Sequence, residues 1–425
     1  MVDIKPFKAV RYTEKAGNLE KLVTPPYDKI DSKQQKEYYR KSPYNYCRLI
    51  LPMENNKYEI ARQRIQQWLS ENVLAKDTDP AVFIYQHDFM LAGKHCTRTG
   101  IVAALRLHAY SENKVFPHEV THGGPKADRL KMLRTVQKDL EPVFLIFSDL
   151  EKQVTNFFTE TTKTPPAIAV TDASGVNHAV WRVTNPQKIQ FIQNAFRDKV
   201  AVITDGHHRY ESALAYRNEK RRQEAWTEDP AFNFHMSYMV PVQDEGLVIL
   251  PTHRLLKNFK LTVNAMQQLK KFFAVFEVAP TINALDDFLQ SHRQAHTFCI
   301  YNGAKAYGLI LKDERAVSEL VNKRNSNEMP VLDVVILRDF VFKIVLKTGE
   351  LEIDEDILYA DSTRSALEKV DNGEAELAFL VNCINPEMVW QIAQKHERLP
   401  EKSTDFYPKP VSGLMMMDIS PKENL

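Results

Sequence analysis

One stretch constrains this chain more than any other. Residues 200–217 read VAVITDGHHRYESALAYR: an apolar, β-branched run, then small and polar residues, then good helix formers. A buried strand that turns sharply into a helix is a building unit of α/β sheets. Gly206 supplies the conformational freedom the turn needs. The same alternation recurs elsewhere. AVFIYQHDF (81–89), GIVAALRLHAY (100–110), EPVFLIFSDL (141–150) and GVNHAVWRVT (175–184) read as strands, and ARQRIQQWLSENVL (61–74) and KIQFIQNAF (188–196) as helices. The expected class is α/β with a mixed α+β sheet.

Two hairpins are expected, at Asp244-Glu245-Gly246 between 233–242 and 247–251, and at Asn302-Gly303 within TFCIYNGAKAYGLIL. VNAMQQLKKFFAVFEV opens with a helix, MPVLDVVILRDFVFKIVL is a buried helix, and AELAFLVN (375–382) is a core strand. A soft boundary near 255 separates residues 1–255, which contain the 205–209 turn, from a C-terminal α/β region, 256–425.

Composition removes several function classes. Lys+Arg 56 against Asp+Glu 55 gives a formal net charge of +1, which argues against a general nucleic-acid or acidic-membrane coat. Cys47, Cys96, Cys299 and Cys383 are widely spaced, with no CxxC, so neither a zinc ribbon nor a disulfide scaffold is expected. The N-terminus has no apolar core of a signal peptide, and no apolar run reaches the ~18 residues of a membrane helix. A soluble, cytoplasmic protein is expected, with no membrane or nucleic-acid partner and room for a homo-oligomer.

The chemistry concentrates at Asp205-Gly206-His207-His208-Arg209. Backbone N–H groups at a helix N-terminus favour an anion, and two imidazoles and a guanidinium beside them suit a phosphate. Asp205, at a strand end, can hold Mg²⁺ or accept a hydroxyl proton. The same residues also fit a satisfied polar turn with an aspartate cap.

The second stretch is FPHEVTHGGPKADRLKMLR (116–134). His118-Glu119-Val120-Thr121-His122 matches HExxH, but a zincin needs these residues inside a helix. Gly123-Gly124-Pro125 is expected to stop any helix after His122, which leaves a loop with a Gly-Gly hinge and no zinc. Glu119 remains as a base, with Lys126 and Arg129 as cations leading into a helix; a solvated loop with helix-face ion pairs is the alternative. Arg254, in LPTHRLL, joins Lys126 and Arg129 as a candidate for a substrate carboxylate. KSTDFYPKP (402–410), with Lys402 and Lys409, is a tail that either crosses the site or docks as a terminal strand.

Seven segments in order, PFKAVRY, TPPYDKI, SPYNYCRL, HEVTHGGPKADRL, TDGHHRYESALAY, LPTHRLL and KSTDFYPKP, resemble domain-of-unknown-function family 1015 over nearly the whole chain. DGHHRY also resembles the nucleotide-binding signature of the ParB/sulfiredoxin-like superfamily, which includes kinases of free L-serine. That resemblance implies a ParB/sulfiredoxin-like nucleotide-binding core with elaborations. It implies ATP or ADP with Mg²⁺, a catalytic role for Asp205, and phosphate binding by Gly206, His207, His208 and Arg209. It extends to serine metabolism. The separate glutamate of such kinases is assigned to Glu119 on chemical grounds, because its surroundings do not align.

The reading that results is a nucleotide-dependent kinase of a small hydroxyl metabolite, with free L-serine as the best candidate. Two other readings use the same residues: a phosphate-ester hydrolase, and a non-catalytic nucleotide-binding switch or interaction protein.

Overall fold

The structure, a computed structural model, describes residues 2–119, 123–223, 226, 229–315, 317, 332–349, 355–400 and 402–425. The fold is mixed α/β. The chain divides into two compact units. The first comprises Met1–Val248, Ala393–His396 and Pro408–Leu425; the second comprises Ile249–Ile392 and Glu397–Tyr407. Among the described residues no helix is long and apolar enough to cross a membrane.

The first unit is built on a nine-stranded sheet: β1 (Ile4–Lys5), β2 (Val82–Leu91), β3 (Lys94–Arg106), β4 (Val115–Pro117), β5 (Val143–Phe147), β6 (Ile168–Thr171), β7 (Asn177–Val183), β8 (Ala201–Asp205) and β9 (Phe234–Pro241). Its order is β4-β8-β5-β9-β3-β2-β7-β6, with β1 also on β3. β4 runs parallel to β8 and β5 parallel to β9, while β8 and β5 are antiparallel. Every residue of β5 and β9 is buried. Strands covered on both faces carry apolar runs instead of alternation, which is why EPVFLIFSDL is legible as a core strand. A second, four-stranded sheet joins Leu74–Lys76, Ala9–Tyr12, Met416–Asp418 and Lys138–Asp139, tying the C-terminal residues into this unit. Helices α1 (Gly123–Val136) and α2 (His207–Gln223) pack on each other.

The second unit carries a six-stranded antiparallel sheet in the order Phe273–Val278, Ala306–Leu311, Thr297–Tyr301, Leu377–Val381, His253–Leu256, Ile357–Ala360. The Asn302-Gly303 hairpin is present, with Gly303 at φ +85°. Asp333–Val335 and Ile336–Leu346 are helical and largely buried, the second with wider i→i+5 turns.

Three expectations fail. The 61–74 helix is Lys57–Ser70; the chain then reverses and Leu74 opens a strand. Asp244–Gly246 makes a turn, Leu247 N–H donating to Asp244 O at 3.0 Å, but β9 is flanked by β3 and β5 and so cannot pair with Val248–Leu250. Gly123-Gly124-Pro125 opens α1 instead of stopping a helix. Proline is tolerated in a first turn, where its missing N–H would have had no intrahelical acceptor. His118 and Glu119 are not helical. His122, the other histidine of HExxH, lies outside the described residues.

Candidate active site

The site is built at the carboxyl ends of two neighbouring parallel strands. Register pairs Val115 with Ala201, Phe116 with Val202 and Pro117 with Ile203. Asp205 ends β8 and Glu119 lies two residues past the end of β4, and both carboxylates act on the charge of His207 and feel that of Lys409. Adjacent strands lie about 4.8 Å apart, so the chain leaves β4 and β8 close together, and the shared partners His207 and Lys409 put the two carboxylates at the same end of the sheet. His118 locks the edge. Its Nδ1–H donates to Ile203 O at 2.6 Å and its backbone N–H to His207 Nε2 at 3.3 Å, and its ring lies 4.9 Å from that of His207. Its Nε2 faces Glu119 Oε1 at 3.6 Å.

Gly206 makes the turn into α2 at φ +88°, and a Cβ there would meet the Arg209 guanidinium at 2.8 Å. That close approach lets Arg209 fold back along the first turn of the helix. It donates to Asp205 Oδ2 and to Pro142 O and is only 7% exposed. Lys409, from the C-terminal tail, donates to Asp205 Oδ1 at 2.7 Å. The tail is anchored on both sides of Lys409. Arg98 donates to Pro408 O, Val411 N–H donates to Tyr85 Oη at 3.3 Å, and Ser412 exchanges backbone bonds with Thr24.

Burial alone would raise the Asp205 carboxyl, but Lys409 and Arg209 overcome it and hold the group well below the usual carboxylate range. Burial would likewise raise Glu119; the hydrogen bond and charge of His118, with His207 and Lys409, bring it down to about 2. Burial first and the His118 charge second bring His207 down to about 3, so it is neutral near pH 7 and accepts from His118 N–H. Arg209 is disfavoured by burial, but Asp205, Glu141 and Asp28 raise its pKa above the ordinary guanidinium value.

Beneath Arg209 lies a cavity of about 30 Å³ lined by Arg129, Asp139, Glu141, Arg209 and His235 among others. It has room for a water molecule or two. Asp139 Oδ2 accepts from Met236 N–H at 2.8 Å, Oδ1 stands 3.5 Å from His235 Nε2, and burial pushes the carboxyl up to about 8.

The remaining candidates are placed as follows. His208, half-buried, is the second residue of α2. Lys126 pairs with Glu211 at 2.7 Å. Arg129 is buried, donates to Asp128 and lies 4.0 Å over the Tyr27 ring. Arg254 belongs to the second unit.

Lys409 sits on the pivotal carboxylate, yet YPKP identifies it only as a tail residue, because the contact spans 204 positions of sequence. Glu141, which accepts from Tyr27 N–H at 3.0 Å and Ser412 Oγ at 2.9 Å, carries no local signal at all.

The chain belongs to the family described as "Protein of unknown function (DUF1015)", whose model matches residues 4–335. No curated protein matches it. Among solved structures it is similar to a free serine kinase in complex with AMP, at 13% identity and a TM-score of 0.34, over 72% of this chain and 88% of that one. It is also similar to SbnI with C-terminal truncation from Staphylococcus aureus, at 9% identity and 0.34, over 73% and 88%. A conserved hypothetical protein from Pyrococcus furiosus is similar at 14% identity and 0.32, over 72% and 92%. At these TM-scores the likenesses carry no argument about the site, which rests on this chain's own residues.

Proposed function

We propose that the protein is a nucleotide-dependent phosphotransferase acting on the hydroxyl of a small metabolite, free L-serine being the first candidate. The observation that carries the reading is the pair of carboxylates, Asp205 and Glu119, held ionised at one sheet edge beside Lys409, two histidines and a helix N-terminus. Phosphoryl transfer needs placement and charge neutralisation more than covalent chemistry. The first-turn N–H groups of α2 suit the phosphates together with His208. Lys409, paired with Asp205, is the cation whose charge acts on both carboxylates. Arg209, expected on a phosphate, is engaged inward; its role in this reading is to hold Asp205 in place.

Glu119 is the stronger candidate for general base. It is half-buried, and His118 Nε2 faces it at 3.6 Å and fixes its position. Asp205 orients Lys409. Magnesium, expected at Asp205, would bring charge neutralisation with the nucleotide. Both Asp205 oxygens carry a cation, so the residue does not fit a resident metal ligand unless Lys409 or Arg209 lets go. No step here runs through the metal. The cytoplasmic location expected from the sequence remains part of this proposal.

Incubating the full chain with ATP or ADP and an amino-acid pool, read by mass spectrometry, tests the reading. A phosphorylated hydroxy amino acid is expected. Release of inorganic phosphate without an acceptor product points to the hydrolase, and binding without turnover to the switch.

A further inference from the structure

The tail that brings Lys409 to Asp205 is short of backbone donors. In Pro408-Lys409-Pro410-Val411 the prolines have no N–H, so only Lys409 and Val411 can donate from the main chain. Each proline also fixes its own φ and restricts the residue before it, which stiffens the segment around Lys409. Pro408 and Pro410 are buried and Lys409 is half-buried. An anchor on Val411 is therefore felt at Lys409, one rigid residue away.

That anchor is the first of a string of buried hydrogen bonds. Val411 N–H donates to Tyr85 Oη at 3.3 Å. Tyr85, on β2, is 2% exposed, and its ring packs at 4.2 Å from that of His87 and 5.1 Å from that of Tyr238. The Tyr85 hydroxyl lies 2.8 Å from His178 Nδ1. His178, on the adjoining β7, is 1% exposed; the register sets it opposite His87, and Val180 opposite Tyr85. Tyr85 and His178 are thus diagonal neighbours on one face of the sheet. His178 Nε2 lies 3.1 Å from Asp172 Oδ2. Asp172 Oδ1 accepts from Ser174 N–H at 2.8 Å, Ser174 Oγ at 2.7 Å and Val176 N–H at 3.0 Å, in the turn between β6 and β7.

The two ends set the direction of every bond. A backbone N–H can only donate, and an ionised carboxylate can only accept. Burial alone would raise the Asp172 carboxyl, but the hydrogen bonds from His178 and Ser174 outweigh it and lower its pKa. Burial pushes the Tyr85 phenol well above its ordinary value, so the hydroxyl keeps its proton. Val411 therefore donates to Tyr85, Tyr85 to His178 Nδ1, and His178 through Nε2–H to Asp172. Removing the phenol oxygen would leave a buried N–H and a buried imidazole nitrogen without their partner, which is costly.

We infer that Tyr85, oriented by His178 and Asp172, is a positioning residue for phosphoryl transfer: it holds Val411 so that the Lys409 ammonium stays on Asp205. The inference rests on the phosphotransferase reading and extends it to three residues that act through the tail.

Steady-state kinetics of the full chain with ATP or ADP and L-serine test it. Tyr85→Phe keeps the ring and removes the oxygen. It should lower kcat about tenfold and leave the nucleotide KM within about twofold, since a misplacement of ~1 Å can cost ~10²-fold. His178→Leu should do the same, and His178→Asn, whose amide oxygen can accept the Tyr85 proton, should recover most of the loss. In a Lys409→Met background, Tyr85→Phe should change kcat by less than about twofold, because no ammonium is left to place. A merely structural role would lower kcat by the same factor in both backgrounds; that result, or a wild-type kcat in Tyr85→Phe, would overturn the inference. A second readout needs no turnover. Thermal denaturation of wild type, the two single variants and the double variant should show Tm losses that are less than additive, because a released tail no longer holds the Lys409–Asp205 pair. Additive losses would overturn the hold of Tyr85 on Lys409, and this readout decides should Lys409→Met abolish turnover. A wild type without turnover whose Tm losses are still non-additive would contradict the phosphotransferase reading and leave the anchor of Tyr85 on Lys409 standing.

Discussion

Arg209 and Arg254 are both buried guanidiniums, one in each unit, and their surroundings differ. Arg209 closes on Asp205 across one turn of chain, and Lys409 shares the same carboxylate. Arg254 has carbonyls and an aromatic ring but no carboxylate among the described residues. The first arrangement is complete without a ligand: two cations and an anion set each other's positions before any substrate arrives. The second has no such anion among the described residues. A buried arginine is thus held either by carboxylates or by carbonyls and an aromatic face, and the two arrangements respond differently when the charge is removed.

The largest effect is expected where the completed cluster loses its anion. Asp205→Asn leaves two poorly exposed cations facing a neutral amide, and breaking a buried pair from one side costs about 3–5 kcal/mol. Urea denaturation should show a loss of that order; a loss below ~1 kcal/mol would mean that the cluster is solvated and the contrast with Arg254 is false.

The direct comparison comes next. Arg209→Met strands Asp205 against Lys409 alone and should cost ~2–4 kcal/mol, whereas Arg254→Met removes an uncompensated charge and should cost clearly less, or stabilise. Equal losses would remove the distinction between the two sites.

A third test reads Asp139, beneath Arg209. Its carboxyl is raised from 3.8 to about 8, so the folded chain binds the extra proton between those values. The stability this contributes is full below about pH 4 and is lost as pH rises through 8, by up to ~1.4 kcal/mol per pH unit. Asp139→Asn mimics the protonated acid, with an oxygen for Met236 N–H and an N–H toward His235. It should match wild type near pH 4–5 and exceed it at pH 8–9 in denaturation midpoints. A constant offset across that range would show that Asp139 titrates normally.

The smallest effect is local. Gly206→Ala places a Cβ at φ +88° against the Arg209 guanidinium and should cost ~1–2 kcal/mol. Unchanged stability would show that Arg209 does not need its folded-back position.

How much of this was legible in sequence follows the range of the interactions. The strand, turn and helix around Gly206 are local, and their residues declare them through β-branching, a positive-φ glycine and helix formers. The Asn302-Gly303 hairpin is legible for the same reason. Asp244–Gly246 has equally good turn chemistry, but sheet order decides pairing, and β9 was already taken on both sides. Gly123-Gly124-Pro125 reads as a stop because glycine and proline break helices internally; only the fold shows that they sit at the start. Asp205 and Glu119 stand out by their chemistry, but only the parallel pairing of β4 with β8, strands far apart in sequence, brings their ends of the chain together. Lys409 and Glu141 depend on contacts across the whole chain, and no periodicity or spacing records those.

The most direct test of the central claim, that two ionised carboxylates at one edge carry phosphoryl transfer, is Glu119→Gln assayed for both binding and turnover. The account predicts nucleotide affinity within about threefold of wild type and kcat lower by ~10²–10⁴, the usual contribution of a general base. Turnover at the wild-type rate in a variant that binds nucleotide normally would contradict it.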